Sequence, residues 1–377
     1  MANVKYILTA DDYGPSEFIN QGVRKMVEQG RINCAQVLAN FDKNNLLDRL
    51  VKLGESAEKA PNFSRCNVGA HLTLTSGPPL HGSENPASTW GPMVKNGQFE
   101  DYSNFYFWFV DDDRLDFRDA IRQEFQLQID QLKWAVEEAN KQLGTKRLNF
   151  NSVSNHHNIF TTKKELFDIY HKAAVDNGLS MRSPNAIPAK IARRYLKIGL
   201  RVKANKLRPV DVDDMMTMYR SFLENQYTGS KDVSFKTPKY IDIDYYRQLG
   251  SIANGKREKK RMMADLEDDL YSMIDRAQEQ DKKIVEFVFH LANDEVAYDK
   301  SMNKKLVEGY KGIEPKYFNN RLMEISVLES IAPGTIIFNK ATQGDWSKCK
   351  KRTFKANNKY QKVLKRNANS DLNKIPV

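Results

Sequence analysis

The sequence predicts an α/β fold built on a mainly parallel sheet. Short apolar runs typical of strands alternate with segments whose apolar residues recur every three or four positions, as in helices. One run, KIVEFVFH at residues 283–290, is almost continuously apolar, which is typical of a strand covered on both faces. The chain of 377 residues is longer than a usual domain but within the range of one α/β barrel with elaborations.

Four runs predict strands, and each ends in polar residues. Their β-branched and apolar composition, bounded by turn-forming or polar residues, is the basis of the prediction. In chain order they are Val4 to Leu8, NVGAHLTLT at 67–75, RLNFNSVSN at 147–155 and KIVEFVFH at 283–290.

Helices are predicted between these strands, and glycines mark their ends. One runs from Ile19 to Gln29, before Gly30, and another from Lys163 to Asn177, before Gly178. A third ends near Gly144 and carries one apolar stripe: Phe117, Ile121, Phe125, Ile129, Leu132 and Val136. Residues 190–280 are basic and mostly helical in pattern, with turns near Gly229 and Gly255.

The composition indicates an ordinary soluble globular protein, with 40% hydrophobic and 28% charged residues. No apolar run approaches the ~20 residues that span a bilayer, and the first strand follows Met1 without a signal-like segment. We therefore expect a cytoplasmic protein without a membrane partner. The three cysteines, Cys34, Cys66 and Cys349, are too widely spaced to predict a disulfide framework or a thiolate metal site.

The positive charge is concentrated at the C-terminus. The net charge of the chain is +11, and residues 345–377 contain ten basic and two acidic residues, which leaves +8 in this segment. We therefore divide the chain into one domain at 1–344 and a basic extension at 345–377. The extension could contact nucleic acid, but a solvated or partly helical segment is the favoured interpretation.

Potential metal ligands and proton carriers stand at the ends of the predicted strands. Four of the six histidines lie there, together with two adjacent aspartates: Asp11, Asp12, His71, His156, His157 and His290. The carboxyl ends of parallel strands surround the active site in α/β folds. An aspartate and two histidines suit a divalent cation with open positions, while the second carboxylate would act as a base. The cation would offset the repulsion between two adjacent buried carboxylates.

Five segments resemble the YdjC-like carbohydrate deacetylases, the family of chitooligosaccharide deacetylase. The similarity covers roughly residues 3–190 and 283–330, and its most specific segments are ADDYG and GAHLTLT. The five segments, in order, are TADDYGPSEFINQGVRKMVEQGRI, VGAHLTLTSGPPL, EFQLQI…QLGTKRLNFNSVSNHHNIF, GLSMRSP and VEFVFH…YFNNRLMEISVL. The resemblance implies a distorted, TIM-like (β/α) barrel and removal of an N-acetyl group from an amino sugar or chito-oligosaccharide-like substrate.

The resemblance also implies roles for individual residues. Asp12, His71 and His156 match the ligands of one divalent metal ion, Mg²⁺ or Zn²⁺. Asp11 matches the general base, which would take a proton from water. His290, a residue type that can be cationic near neutrality, would protonate the departing amine. Arg182 matches an arginine that contacts substrate or Asp11, with a structural ion pair as the other interpretation.

The sequence departs from the family pattern near two of these residues. Ser154 stands where the family has an aspartate before the paired histidines, and Phe160 replaces a further histidine. His290 is followed by Leu291 and Ala292 instead of proline and glycine. All three implied ligands are nevertheless present, which favours an active enzyme. The exchanged residues are expected to affect how the ligands are oriented.

Recognition of a sugar requires aromatic faces and hydrogen-bonding groups. Trp108, in the aromatic run YSNFYFWFV at residues 102–110, could stack on the substrate, and His157 could contact it. Core packing or a subunit contact, for example in a homodimer, would explain the aromatic run equally well.

Two other functions remain open from the sequence. One is a barrel that has lost catalysis and binds a glycan or nucleic acid. The other is a metal-dependent hydrolase acting on a different amide or on a phosphate, because this ligand set does not specify the bond that is cleaved.

Overall fold

The fold is an α/β fold with a curled parallel sheet. The computed structural model describes residues 5–41, 43–100, 117–161, 164–182, 233–236, 239–242, 284–292, 315–331, 347 and 351–354. Seven strands form the main sheet: β1 (Lys5–Tyr13), β2 (Cys34–Val37), β3 (Cys66–Leu72), β6 (Leu148–Asn155), β7 (Ser180–Met181), β9 (Lys239–Asp242) and β10 (Ile284–His290). All six neighbouring pairs in this sheet are parallel.

The strand order is that of an open barrel. From β1 the sheet continues in chain order through β2, β3 and β6 to β7, while on its other side β1 pairs with β10, and β10 pairs with β9. A strand from the end of the chain therefore returns beside the first strand, as in a closed barrel. Among the described residues, β7 and β9 do not pair with each other. The sheet is thus a half-barrel, consistent with the distorted barrel that the sequence predicted.

Four short strands form two antiparallel ribbons outside the parallel order. Strands β4 (Val94–Lys95) and β5 (Gln98–Phe99) make a tight hairpin. Strand β8 (Val233–Lys236) pairs with β11 (Lys351–Phe354). The beginning of the basic extension therefore pairs with the segment at 190–280, where β8 and β9 differ from the helical pattern predicted there. The other residues of that segment lie outside the described residues.

Six helices are described, and the three that the sequence predicted begin and end close to the predicted positions. They are α1 (Glu17–Glu28), α2 (Leu46–Lys59), α3 (Pro86–Trp90), α4 (Arg118–Gln142), α5 (Lys164–Asp176) and α6 (Pro315–Ser330). The side chain of Ser16 caps α1 by accepting a hydrogen bond from the amide of Ile19. Positive φ angles of 63° at Gly144 and 66° at Gly178 end α4 and α5, as the sequence predicted.

The predicted apolar stripe of α4 is buried in the main core together with apolar residues of β1, β3 and β10. Strand β1 is longer than predicted and extends to Tyr13, so Asp11 and Asp12 are among its last three residues. Strand β3 ends at Leu72, three residues earlier than expected. Strands β2 and β7 and helices α2, α3 and α6 were not predicted. No helix in the described part of the chain has the length and apolar character needed to cross a membrane.

Candidate metal centre and active site

The carboxyl ends of four strands bring the predicted residues together. Asp11 on β1 is in register with His290 on β10, and His71 on β3 is in register with Ser154 on β6. His156 directly follows β6. Because parallel strands end at the same edge of a sheet, residues distant in sequence form one buried cluster.

Asp12, His71 and His156 converge on one point. Oδ1 of Asp12 lies 3.2 Å from Nε2 of His71 and 3.1 Å from Nδ1 of His156. The two imidazole nitrogens are 3.2 Å apart. All three side chains are buried, and they form the group in the described part of the chain whose donor atoms are close enough to hold a metal ion. The convergence predicted for these residues is therefore present.

A hydrogen-bond chain determines which nitrogen of His71 carries the proton in the neutral ring. Nδ1 of His71 lies 2.6 Å from the hydroxyl of Ser154. That hydroxyl donates to Oε1 of Gln36 over 2.8 Å, so towards His71 it offers a lone pair. This contact favours a proton on Nδ1, which leaves Nε2 with a lone pair that could bind a cation beside Asp12.

His156 is oriented in the corresponding way. Its Nε2 lies 3.1 Å from the hydroxyl of Ser76, which itself donates to the carbonyl of Thr75 over 2.7 Å. Burial lowers the pKa of His156 and favours its neutral form, although Asp12 acts in the opposite direction. A neutral ring with its proton on Nε2 would leave a lone pair on Nδ1. The three potential ligand atoms, about 3 Å from one another, are then arranged as a bound cation requires.

Asp12 is fixed from two sides. Its backbone has a φ of 64°, a left-handed conformation that aspartate tolerates better than most residues. Oδ2 accepts a hydrogen bond from Nη2 of Arg321, a fully buried residue of α6. Burial would raise the pKa of Asp12, but Arg321 and the imidazoles outweigh it and hold the pKa well below its usual value. Asp12 is thus ionised, as a metal ligand must be.

The second carboxylate, Asp11, is held by Arg182. The guanidinium donates through Nη1 to Oδ2 over 2.6 Å and through Nη2 to Oδ1 over 2.8 Å. Arg182 also pairs with Glu286 of β10 at 2.8 Å, and Glu286 accepts a hydrogen bond from Thr9. Burial opposes ionisation, but Arg182 lowers the pKa of Asp11. The contact between Arg182 and Asp11 that the resemblance implied is therefore present.

The charges of this cluster leave room for a cation. Among the described residues, the guanidinium groups of Arg182 and Arg321 pair with three carboxylates, those of Asp11, Asp12 and Glu286. All five side chains are buried.

His290 lies at the end of β10, and its imidazole is neutral at rest. Its backbone N–H donates to Glu324 of α6 over 2.6 Å. Burial lowers the pKa of His290 to about 4; Asp12 opposes this shift and Arg321 reinforces it. The half-buried ring loses part of the hydration that would stabilise its charge.

Of the three residues predicted to contact substrate, His157 and Trp108 have different outcomes. His157 is exposed, with its ring centroid 3.7 Å from that of His156 and its Nδ1 3.0 Å from the hydroxyl of Thr75. Its φ of 57° is a left-handed conformation of the kind found at functional sites. Trp108 lies outside the described residues, so its stacking role stays a prediction.

The two exchanged residues serve the fold in different ways. Ser154 supports His71 as described above, so the position that has an aspartate in the family still supplies a hydrogen-bond partner. Phe160 is fully buried, with its ring centroid 4.6 Å from that of Phe125 and 5.7 Å from that of Tyr170. It belongs to the core rather than to the metal centre.

Several supporting residues could not be identified from the sequence. Three of them are charged residues within otherwise apolar segments: Glu286, Arg321 and Glu324. A charged residue at such a position is the signal that could have indicated a buried ion pair. Gln36 and Ser76 have no such signal, because serine and glutamine are common in any strand or loop.

Comparison with known proteins agrees with this architecture. A crystal structure of a proposed cellobiose-phosphate cleavage protein from Enterococcus faecalis V583 superposes with a TM-score of 0.53 and 17% identity, covering 87% of this chain and 92% of that one. At this identity the similarity is evidence for the fold alone. Among proteins of curated function, none matches this sequence.

The sequence matches the family model described as YdjC-like protein over residues 5–333. This range is continuous and includes residues 190–280, which the resemblance noted from short segments did not cover. It ends before the basic extension. The chain therefore belongs to the YdjC-like protein family, a family of the carbohydrate deacetylase type.

Proposed function

We propose that the protein is a divalent-metal-dependent hydrolase that removes the N-acetyl group from an amino sugar or a short chito-oligosaccharide-like carbohydrate. One observation carries the proposal: Asp12, His71 and His156 turn three electron pairs towards one point, and a second ionised carboxylate, Asp11, lies beside them. Family membership supports a carbohydrate substrate. A protein that only binds glycans would have no need of this buried set of potential metal ligands.

The ion would be held by Oδ1 of Asp12, Nε2 of His71 and Nδ1 of His156. Two imidazoles and one carboxylate favour Zn²⁺ over Mg²⁺, which prefers oxygen ligands. When bound, the ion would supply Lewis-acid chemistry, polarising the amide carbonyl and making water more acidic.

Asp11 would accept the proton of the attacking water. The bidentate contact with Arg182 keeps the carboxylate ionised and fixes its orientation, while Oδ2 remains 3.8 Å from Nε2 of His71 and so faces the metal centre. Arg182 is itself anchored by Glu286, so the base has little freedom to move. A fixed base needs no reorganisation during the reaction.

His290 would return a proton to the nitrogen of the leaving amine. Because its ring is neutral at rest, it must first receive that proton, and its register partner Asp11 is the adjacent carrier. The water oxygen would bond to the acetyl carbon as its proton passes to Asp11 and on to His290. The C–N bond would break as His290 returns this proton to the nitrogen, which gives acetate and the free amino sugar. His157, exposed beside the ligands, would hydrogen-bond the sugar.

The proposal is tested by measuring acetate release from a panel of N-acetylated monosaccharides and chito-oligosaccharides, with and without a chelator. Phosphorylated amino sugars belong in the panel, because the similar structure is named for a phosphorylated disaccharide. We expect release that the chelator abolishes and added Zn²⁺ restores, and none from His71→Ala. Chelator-insensitive release would contradict the proposal, and hydrolysis of phosphate esters without acetate release would favour the other metal-dependent hydrolase.

A further inference from the structure

A glutamine from β2 reaches across β3 to the metal centre. Gln36 on β2 is in register with Gly69 on β3, and Gly69 is in register with Ser152 on β6. Because Gly69 has no side chain, Gln36 passes over it: a Cβ at this position would lie 2.2 Å from Oε1 of Gln36 and 2.4 Å from Oγ of Ser152. The glycine therefore opens a passage between two strands that do not pair with each other.

The amide of Gln36 is held at both ends. Nε2 donates to the hydroxyl of Ser152 over 3.1 Å, and Oε1 accepts the hydroxyl proton of Ser154 over 2.8 Å. All three side chains have no exposed surface. Water therefore does not replace either contact.

We infer that Gln36 is a positioning residue that sets the tautomer of His71. The Ser154 hydroxyl has one proton. As long as Oε1 of Gln36 accepts it, the oxygen can only accept from Nδ1 of His71, and Nε2 is left with its electron pair. Without this acceptor, the hydroxyl is free to donate to Nδ1, which would place the ring proton on Nε2, where a metal must bind.

This relay replaces a carboxylate by neutral groups. An aspartate beside Nδ1 would fix the same tautomer by its charge, whereas a serine hydroxyl can either donate or accept and therefore needs a second residue to decide. Gln36 determines the direction in which the Ser154 hydroxyl donates its proton, and it adds no negative charge to the cluster. The inference rests on the proposed function only for its consequence in metal binding, because the tautomer is a property of the metal-free protein.

The test uses the full-length, metal-free protein labelled with ¹⁵N-histidine, near pH 7.5. Long-range ¹H–¹⁵N correlations distinguish the two tautomers, and loss of a signal in His71→Gln assigns the ring. In the metal-free protein the Asp12 carboxylate, 3.2 Å from Nε2, favours a proton on that nitrogen. We therefore expect the Nδ1–H form to make up a larger fraction in the native protein than in Gln36→Leu. The affinity for Zn²⁺, measured by calorimetry, should fall by about 10–100-fold in the same variant.

Gln36→Glu is the matched control. In either ionisation state its carboxyl group offers an oxygen to the Ser154 hydroxyl, so it should retain the Nδ1–H form and most of the Zn²⁺ affinity. A role in packing alone would affect the two variants alike. If Gln36→Leu does not fold, the same spectrum is recorded for Ser154→Ala. In this variant too, the ring of His71 should shift towards the Nε2–H form.

A fraction of the Nδ1–H form in Gln36→Leu or in Ser154→Ala equal to that of the native protein would overturn the inference, as would a lower fraction in Gln36→Glu. Failure of the proposed function gives a different result: the tautomers change as expected, but the native protein binds no metal and releases no acetate.

Discussion

Arg321 and Asp12, 309 residues apart in the sequence, form a buried ion pair in which the two oxygens of one carboxylate have separate roles. Oδ2 accepts from the guanidinium, and Oδ1 faces the imidazoles of His71 and His156. Helix α6 therefore supports the metal centre, although none of its residues is among the proposed ligands.

Arg321→Met should destabilise the metal-free protein by roughly 3–5 kcal/mol, because it leaves a buried carboxylate without its counter-charge. Thermal or denaturant unfolding in the presence of a chelator measures the loss, and added Zn²⁺ should recover part of it by binding the folded state. Arg122→Met removes an ion pair whose side chains are 52% and 83% exposed, and it should cost at most about 1 kcal/mol. Equal losses in the two variants would show that the buried pair contributes no more than a surface one.

Asp11 and Asp12 are adjacent but should respond differently to the same substitution. Asp12→Asn should weaken metal binding, because a neutral amide replaces a charged ligand, and excess metal should restore some activity. Asp11→Asn should leave the metal bound, since Arg182 still pairs with Glu286, but should lower kcat by about 10²–10⁴. Metal content and kcat are measured on both variants. Loss of the ion in Asp11→Asn with retention in Asp12→Asn would reverse the assigned roles.

Glu124 of α4 should make stability depend on pH. Its buried carboxylate accepts hydrogen bonds from the amides of Leu80 and His81 and from the side chain of Gln128, yet burial raises its pKa from 4.5 to about 7. The unfolded chain ionises first as pH rises, so the stability due to this group is present below pH 4.5 and is lost as pH rises through about 7. The total change is about 3 kcal/mol.

Unfolding of the native protein and of Glu124→Gln between pH 4.5 and 8 measures this effect. The free-energy difference between them should shift by about 3 kcal/mol in favour of the variant as pH rises. A constant difference would mean that the carboxyl group has the same pKa in the folded and unfolded states.

Truncation should separate two parts of the basic extension. Because Lys351–Phe354 pairs with β8, we expect removal of residues 356–377 to leave deacetylation of a small soluble sugar unchanged, whereas a truncation that also removes β11 should lower the unfolding temperature. Binding of the full chain to nucleic acid, measured at several salt concentrations, tests the other interpretation of the charge. A tail-dependent complex whose affinity falls steeply with salt would show that the extension recruits an anionic partner.

Much of the fold was predictable because its signals are local. The stripe of α4, the glycines after its end and after α5, and the near-continuous apolar run of β10 each reflect one element's own periodicity or backbone. Elements without such a signal were not predicted: β2 has four residues, too few for a pattern, and the short strands β8 and β9 gain their identity from the strands beside them.

By itself the sequence determined the parallel α/β architecture and the chemical character of the strand ends, and it gathered Asp11, Asp12, His71, His156 and His290 into one candidate site. The tertiary structure decided their states: which nitrogen of each ligand imidazole bears the proton, which carboxylate faces which guanidinium, and that His290 is neutral at rest. These properties depend on burial and on contacts such as those of Gln36 with Ser154 and of Arg321 with Asp12. Side chains from separate strands and helices make these contacts, and no local sequence pattern specifies which of them will meet.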